Sequence, residues 1–206
     1  MISRSAALLF GVGLSAALFG AAHDATAAGP GAARRGLALF QAKECARCHL
    51  PRGRPGVGPA LEELRQPQGA WVLAGRLWNH APAMFAAFGS QGLGWPEISA
   101  AEMADLMAYL DADPTRDPAP DRLQGEAELV RKGCLKCHSL RGEGGRVGPD
   151  LGALRAAYES APVWAARMWV HTPRMAAEAR RLGILYPRFS GREMDDLVGF
   201  LKSVAK

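Results

Sequence analysis

Two five-residue stretches decide the fold, Cys45-Ala46-Arg47-Cys48-His49 and Cys134-Leu135-Lys136-Cys137-His138, displaced from each other by 89 positions. Outward from them the same order of uncommon residues recurs. Gly36 and Gly125 precede the motifs; Val57-Gly58-Pro59 and Val147-Gly148-Pro149, displaced by 90, follow them. Arg76, Trp78, His80, Pro82 and Met84 answer to Arg167, Trp169, His171, Pro173 and Met175, displaced by 91, and Ser99, Glu102 and Met103 keep that spacing to Ser190, Glu193 and Met194. The chain is therefore one module written twice, and such a repeat governs every local assignment that follows.

Boundaries come from the same alignment. The modules occupy 30–113 and 121–206, joined by a Pro-rich linker at 114–120 inside the run Asp111 to Asp121, whose three prolines and four aspartates predict a semi-extended connection. A module of this size is small for a self-sufficient apolar core and calls for a staple or a prosthetic group. Within each copy apolar residues recur at helical spacing: Leu37 and Phe40, Leu106, Tyr109 and Leu110, then Leu129 and Val130, Leu197, Phe200 and Leu201. Ser99 with Glu102 and Ser190 with Glu193 predict capping boxes at the start of the last helix of each copy. A further helix is expected over 69–80 and 161–171, ended by Pro82 and Pro173. No run alternates apolar with polar residues, so the class is all-α.

Composition removes other classes. Over 206 residues, 49% hydrophobic and 22% charged content exclude a disordered or collagen-like chain. A mean hydropathy of -0.06 with a single apolar run excludes a polytopic membrane protein. Residues 1–27 read as a secretory signal, with Arg4, a small-residue apolar stretch from Ala6 to Ala22 and a cleavage pattern at Ala25-Thr26-Ala27; an uncleaved membrane anchor is the competing reading. The net charge of +5 belongs to the second module, where 15 Lys and Arg face 10 Asp and Glu, against 8 and 8 in the first. A basic surface of that kind suits an anionic partner.

Cys-x-x-Cys-His is the attachment pattern of a covalent c-type haem. Two thiols at this spacing add to the two vinyl groups of one porphyrin, and the adjoining histidine is carried beneath the iron. Cys45, Cys48, Cys134 and Cys137 are thus the attachment residues, His49 and His138 the proximal iron ligands, and the cofactors two haem c groups. A zinc ribbon wants its pairs about 15 to 20 residues apart; 85 residues separate these. A thioredoxin-type pair wants a βαβ pattern that is missing. On the opposite side of the iron each copy offers two candidates four residues apart, His80 or Met84 and His171 or Met175, and counting excludes neither.

On these motifs each module resembles class I cytochrome c, and residues 31 to 206 together look like a di-haem c-type cytochrome of the bacterial periplasm. The resemblance implies two tandem cytochrome c-like helical domains, each wrapped around one haem. It implies that Gly36 packs crosswise with Tyr109 and Gly125 with Phe200, and that the carbonyls of Pro59 and Pro149 orient the proximal imidazoles. It favours Met84 and Met175 as distal ligands, on a loop beyond the third helix, over His80 and His171 in its last turn. Trp78, Trp169, Trp95 and Tyr186 are expected to shield the haems, an indole or phenol proton reaching a propionate, while Met103 and Met194 fill the core. The implied role is electron transfer between redox-partner proteins rather than an enzyme: a peroxidase needs an open haem face, and a cysteine-ligated dehydrogenase would need a fifth cysteine. An acidic partner is expected to dock on the second domain, nucleic acid is excluded by export, and a membrane enters only if the leader is retained, as in a cytochrome subunit of a larger membrane-bound redox complex. Arg174, where the first copy has Ala83, predicts the higher potential for the second haem.

Overall fold

The computed structural model describes residues 29–206; the expected secretory signal at 1–27 lies outside them. Seven α-helices carry these residues: α1 (Pro30–Ala42), α2 (Leu61–Leu64), α3 (Ala70–Ser90) and α4 (Ala100–Tyr109) in the first module, then α5 (Arg122–Arg131), α6 (Ala161–Arg181) and α7 (Glu193–Val204) in the second. The first and last helices of each module cross at a glycine. A Cβ on Gly36 would stand 2.6 Å from the Cβ of Tyr109 and closer still to the Asp105 carbonyl oxygen, and one on Gly125 would stand 2.8 Å from the Cβ of Phe200. Backbone thus meets backbone at both crossings, as the resemblance implied.

The two predicted caps differ. Ser99 and Glu102 form the full reciprocal box at the start of α4. At the start of α7 the Glu193 carboxylate still reaches back to the Ser190 amide, 2.8 Å away, but the Ser190 hydroxyl donates to that carboxylate and caps no amide. Gly191 sits there at φ +50, in the left-handed region, so the helix begins only at Glu193.

The structure corrects the expectation about the prolines. Pro82 and Pro173 do not end their helices: α3 runs on to Ser90 and α6 to Arg181, with the proline inside each. A proline in a helix interior withholds the amide that the carbonyl four residues earlier would use. Here those carbonyls belong to Trp78 and Trp169, and each finds another donor: the Tyr186 hydroxyl lies 3.3 Å from Trp78 O and Trp95 Nε1 lies 3.0 Å from Trp169 O. Both donors come from the opposite module.

That exchange is part of a reciprocal interface in which α3 packs on α6. Trp78 Nε1 donates to Pro187 O and Trp169 Nε1 to Pro96 O, both at 2.8 Å. Trp95 stacks on Trp169 with ring centroids 4.0 Å apart, and Trp78 stacks on Tyr186 at 5.4 Å. The expectation that these rings direct their protons to haem propionates is replaced: their donors are committed to the backbone of the neighbouring module. Met103 and Met194 are buried in the core as expected, the latter accepting from Trp164 Nε1.

The linker is fastened along its length. Gln68 bridges to Ala112, the Asp117 carboxylate accepts from the first amides of α3, Ala70 and Trp71, and Arg192 donates to Ala119 O. One small ladder occurs among the described residues, Ser139–Leu140 (β1) against Glu143–Gly144 (β2). Its two-residue turn, Arg141-Gly142, has both φ angles positive, the condition for a tight hairpin. It falls where the second module carries the first of its extra residues.

Candidate functional site

Each attachment motif follows the end of the first helix of its module through a residue in the left-handed conformation, Glu44 at φ 65 and Gly133 at φ 70. The chain then closes a single 3-10 turn, Cys45–Arg47 or Cys134–Lys136. That turn brings both cysteines and the histidine of a motif onto adjacent positions of one loop. Glu44 has no glycine's freedom, and its carboxylate is tied to Arg47 across the turn.

Each imidazole is held from two directions. His49 Nδ1 lies 3.1 Å from the Pro59 carbonyl and His138 Nδ1 lies 2.9 Å from that of Pro149. An Nδ1–H donated to a carbonyl fixes the tautomer and leaves Nε2 as the lone-pair nitrogen, the state a metal takes. The glycine before each proline lies flat on the ring: a Cβ on Gly58 would stand 2.5 Å from His49 Cε1, and one on Gly148 2.5 Å from His138 Nδ1. Burial pushes the His49 ring below its usual range, against the pull of the Pro59 bond, and the charge of His80 lowers it further. His49 is therefore held neutral.

All four cysteines are free thiols and partly buried. Burial pushes Cys45 and Cys134 up to about 11, so both are neutral at physiological pH. A thiol–disulfide exchange pair needs the opposite, a first cysteine depressed toward neutrality or below. Paired free thiols beside a tautomer-locked imidazole are the donor set that a covalently attached haem requires, and the residues present fit that group in both modules.

The distal candidates lie on the long helices and not on a loop, which removes one reason for choosing among them. His80 and Met84 are one turn apart on the same face of α3, as are His171 and Met175 on α6. Both methionines are half-buried and both histidines exposed; Met84 packs against the core. His80 Nδ1 lies 2.8 Å from Arg76 O on its own helix.

The sequence missed the aromatic interface and the role of Asp195. That α7 carboxylate is buried with one oxygen lacking a partner. Burial, then the nearby carboxylates of Asp117 and Asp196, push it up to about 6. Its only sequence signal was an adjacent acidic pair near the start of a helix, which reads as ordinary dipole chemistry.

The profile of the family described as Cytochrome c matches residues 33–112 and again 125–205. Comparison with curated proteins and with solved structures finds no match.

Proposed function

The chain belongs to the cytochrome c family, once in each half, and from that premise we propose that it is an exported, periplasmic di-haem carrier that passes single electrons between redox-partner proteins. The two attachment sites carry this reading, each with paired free thiols and an imidazole whose Nδ1 is engaged by a proline carbonyl. When bound, each haem supplies an iron that alternates between two oxidation states by one electron. Cys45 and Cys48, or Cys134 and Cys137, would form its thioether links, and His49 or His138 would supply Nε2. Pro59 and Pro149 hold the ring orientation, and α3 and α6 would supply the second protein ligand.

Met84 and Met175 are the proposed distal ligands, supported by their half-burial in both modules beside exposed histidines. A second reading, His80 in the first module, is favoured by its Nδ1 bond to Arg76 O, which frees Nε2. With a protein ligand from α3 or α6 added to His49 or His138, each iron would offer small molecules no free position, which suits a carrier. No helix among the described residues is long and apolar enough to cross a membrane; retention in a larger membrane-bound redox complex would rest on the leader.

Mass analysis of the exported protein tests the whole reading: two covalently added haems are expected, and one or none refutes it. The oxidised optical spectrum then decides the ligands. Methionine gives its long-wavelength charge-transfer band, and a bis-imidazole resonance signal without that band selects His80 or His171.

A further inference from the structure

Pro82 and Pro173 each leave a carbonyl without its helical donor, and a buried carbonyl left unpaired is costly. The two carbonyls, Trp78 O and Trp169 O, occupy one repeat position; their replacement donors, Tyr186 and Trp95, occupy another. Each donor reaches across to the other module, so the exchange is reciprocal. The turn fastened in this way holds one pair of distal candidates, His80 on α3 and His171 on α6, two residues past the carbonyl, and it leads directly into the next turn, which holds the other pair, Met84 and Met175. Ring stacking holds the donors in place, Tyr186 on Trp78 and Trp95 on Trp169. Burial also raises the Tyr186 phenol well above its usual range, against a pull from Thr172, so it stays a donor.

The geometry points to Trp95 and Tyr186 as positioning residues that act crosswise, each fixing through a proline-freed carbonyl the stretch of helix that leads into the other module's distal ligand. This rests on the reading that α3 and α6 supply those ligands, and it holds whether methionine or histidine is the donor. The interface is then part of each haem site, and a change in one module is read in the other.

The test uses the full-length exported protein carrying both haems, with the paramagnetic resonance signal and midpoint potential of each haem as readouts. The double variants H80A/M84A and H171A/M175A assign the two signals, since each turns one haem high-spin. Tyr186→Phe removes one hydroxyl and no ring; it is expected to shift the signal and potential of the first-module haem and leave the second unchanged. Trp95→Phe is expected to do the reverse. Asn79→Ala and Asn79→Leu serve as controls, because both delete interface bonds to Phe189 and leave the freed carbonyls, their donors and the stacked rings unchanged. Shifts in neither haem, shifts confined to the mutated residue's own module, or equal shifts in the controls overturn the crosswise role. Should Trp95→Phe fail to fold, Tyr186→Phe decides alone. A wild-type protein without two six-coordinate low-spin haems would instead fail the functional reading, and the crosswise role with it.

Discussion

Each proximal imidazole is gripped by a carbonyl at one nitrogen and by a glycine against its face, and both grips come from the loop after the motif. Gly58→Ala or Gly148→Ala would place a methyl inside the ring's van der Waals envelope, at 2.5 Å from its atoms. The expected outcome is a displaced imidazole in the altered module only, read as a lower haem-to-protein ratio or a changed axial signal for one haem of the two. A second residue-scale consequence concerns acid. Asp195 stands at about 6 when folded, above the usual aspartate value near 4. Its contribution to stability is therefore complete below about pH 4 and is lost as pH rises through 6. Asp195→Asn should leave stability near pH 4 unchanged and raise it at pH 7 on the order of 2 kcal/mol, measured by denaturant unfolding across that range; an unchanged profile would count against the buried charge. Glu193 has the opposite sign. Burial works against its ionisation, yet bonds from Lys132, the Ser190 amide and Arg131 hold it down to about 2, so its contribution is present above about 4.5 and disappears in stronger acid.

At the scale of elements, the two capping boxes that read alike in the sequence are predicted to behave differently. Ser99→Ala removes an acceptor from the Glu102 amide and should cost about 1 kcal/mol. Ser190→Ala removes no cap and should cost clearly less, which thermal unfolding of the two variants compares directly. The crossings at Gly36 and Gly125 are less forgiving. Alanine there drives a methyl into a backbone carbonyl of α4 or α7, so the helices must separate, with an expected loss on the order of 1–3 kcal/mol. The helical periodicity was legible because it rests on local spacing, and the crossings were legible only through the resemblance to class I cytochrome c. The continuation of α3 and α6 was not, because a proline stops a helix only where its orphaned carbonyl finds no other donor. Tyr186 and Trp95, 108 and 74 positions from the carbonyls they serve, supply that donor, and no window along the chain contains both partners.

Over the whole molecule, charge and linker set how the two modules act together. Arg174, exposed beside Met175, answers to Ala83, and with Met175 as the proposed ligand it would place near the second iron a cation that disfavours the ferric form. Arg174→Ala is expected to lower the potential of the second haem modestly, since solvent and salt screen an exposed charge, and a potentiometric titration that shows no change removes this residue as a cause. The second module's excess of cations should also steer an acidic redox partner, with association weakening as salt rises. The linker, which composition made a semi-extended connection, is bound at the first turn of α3 and at Arg192, so the modules are coupled by more than their shared chain.

The sequence by itself determined the duplication, the all-α class and the two Cys-x-x-Cys-His motifs of the cytochrome c modules, since each is written in contiguous residues or in short-range periodicity. Tertiary structure alone decided where the distal candidates lie, what the aromatic residues do and which carboxylate titrates near neutrality. Those outcomes depend on groups brought together across the module boundary. A hydrogen-bond donor, a stacked ring or a buried charge has no energy to assign until the packing has named its partner.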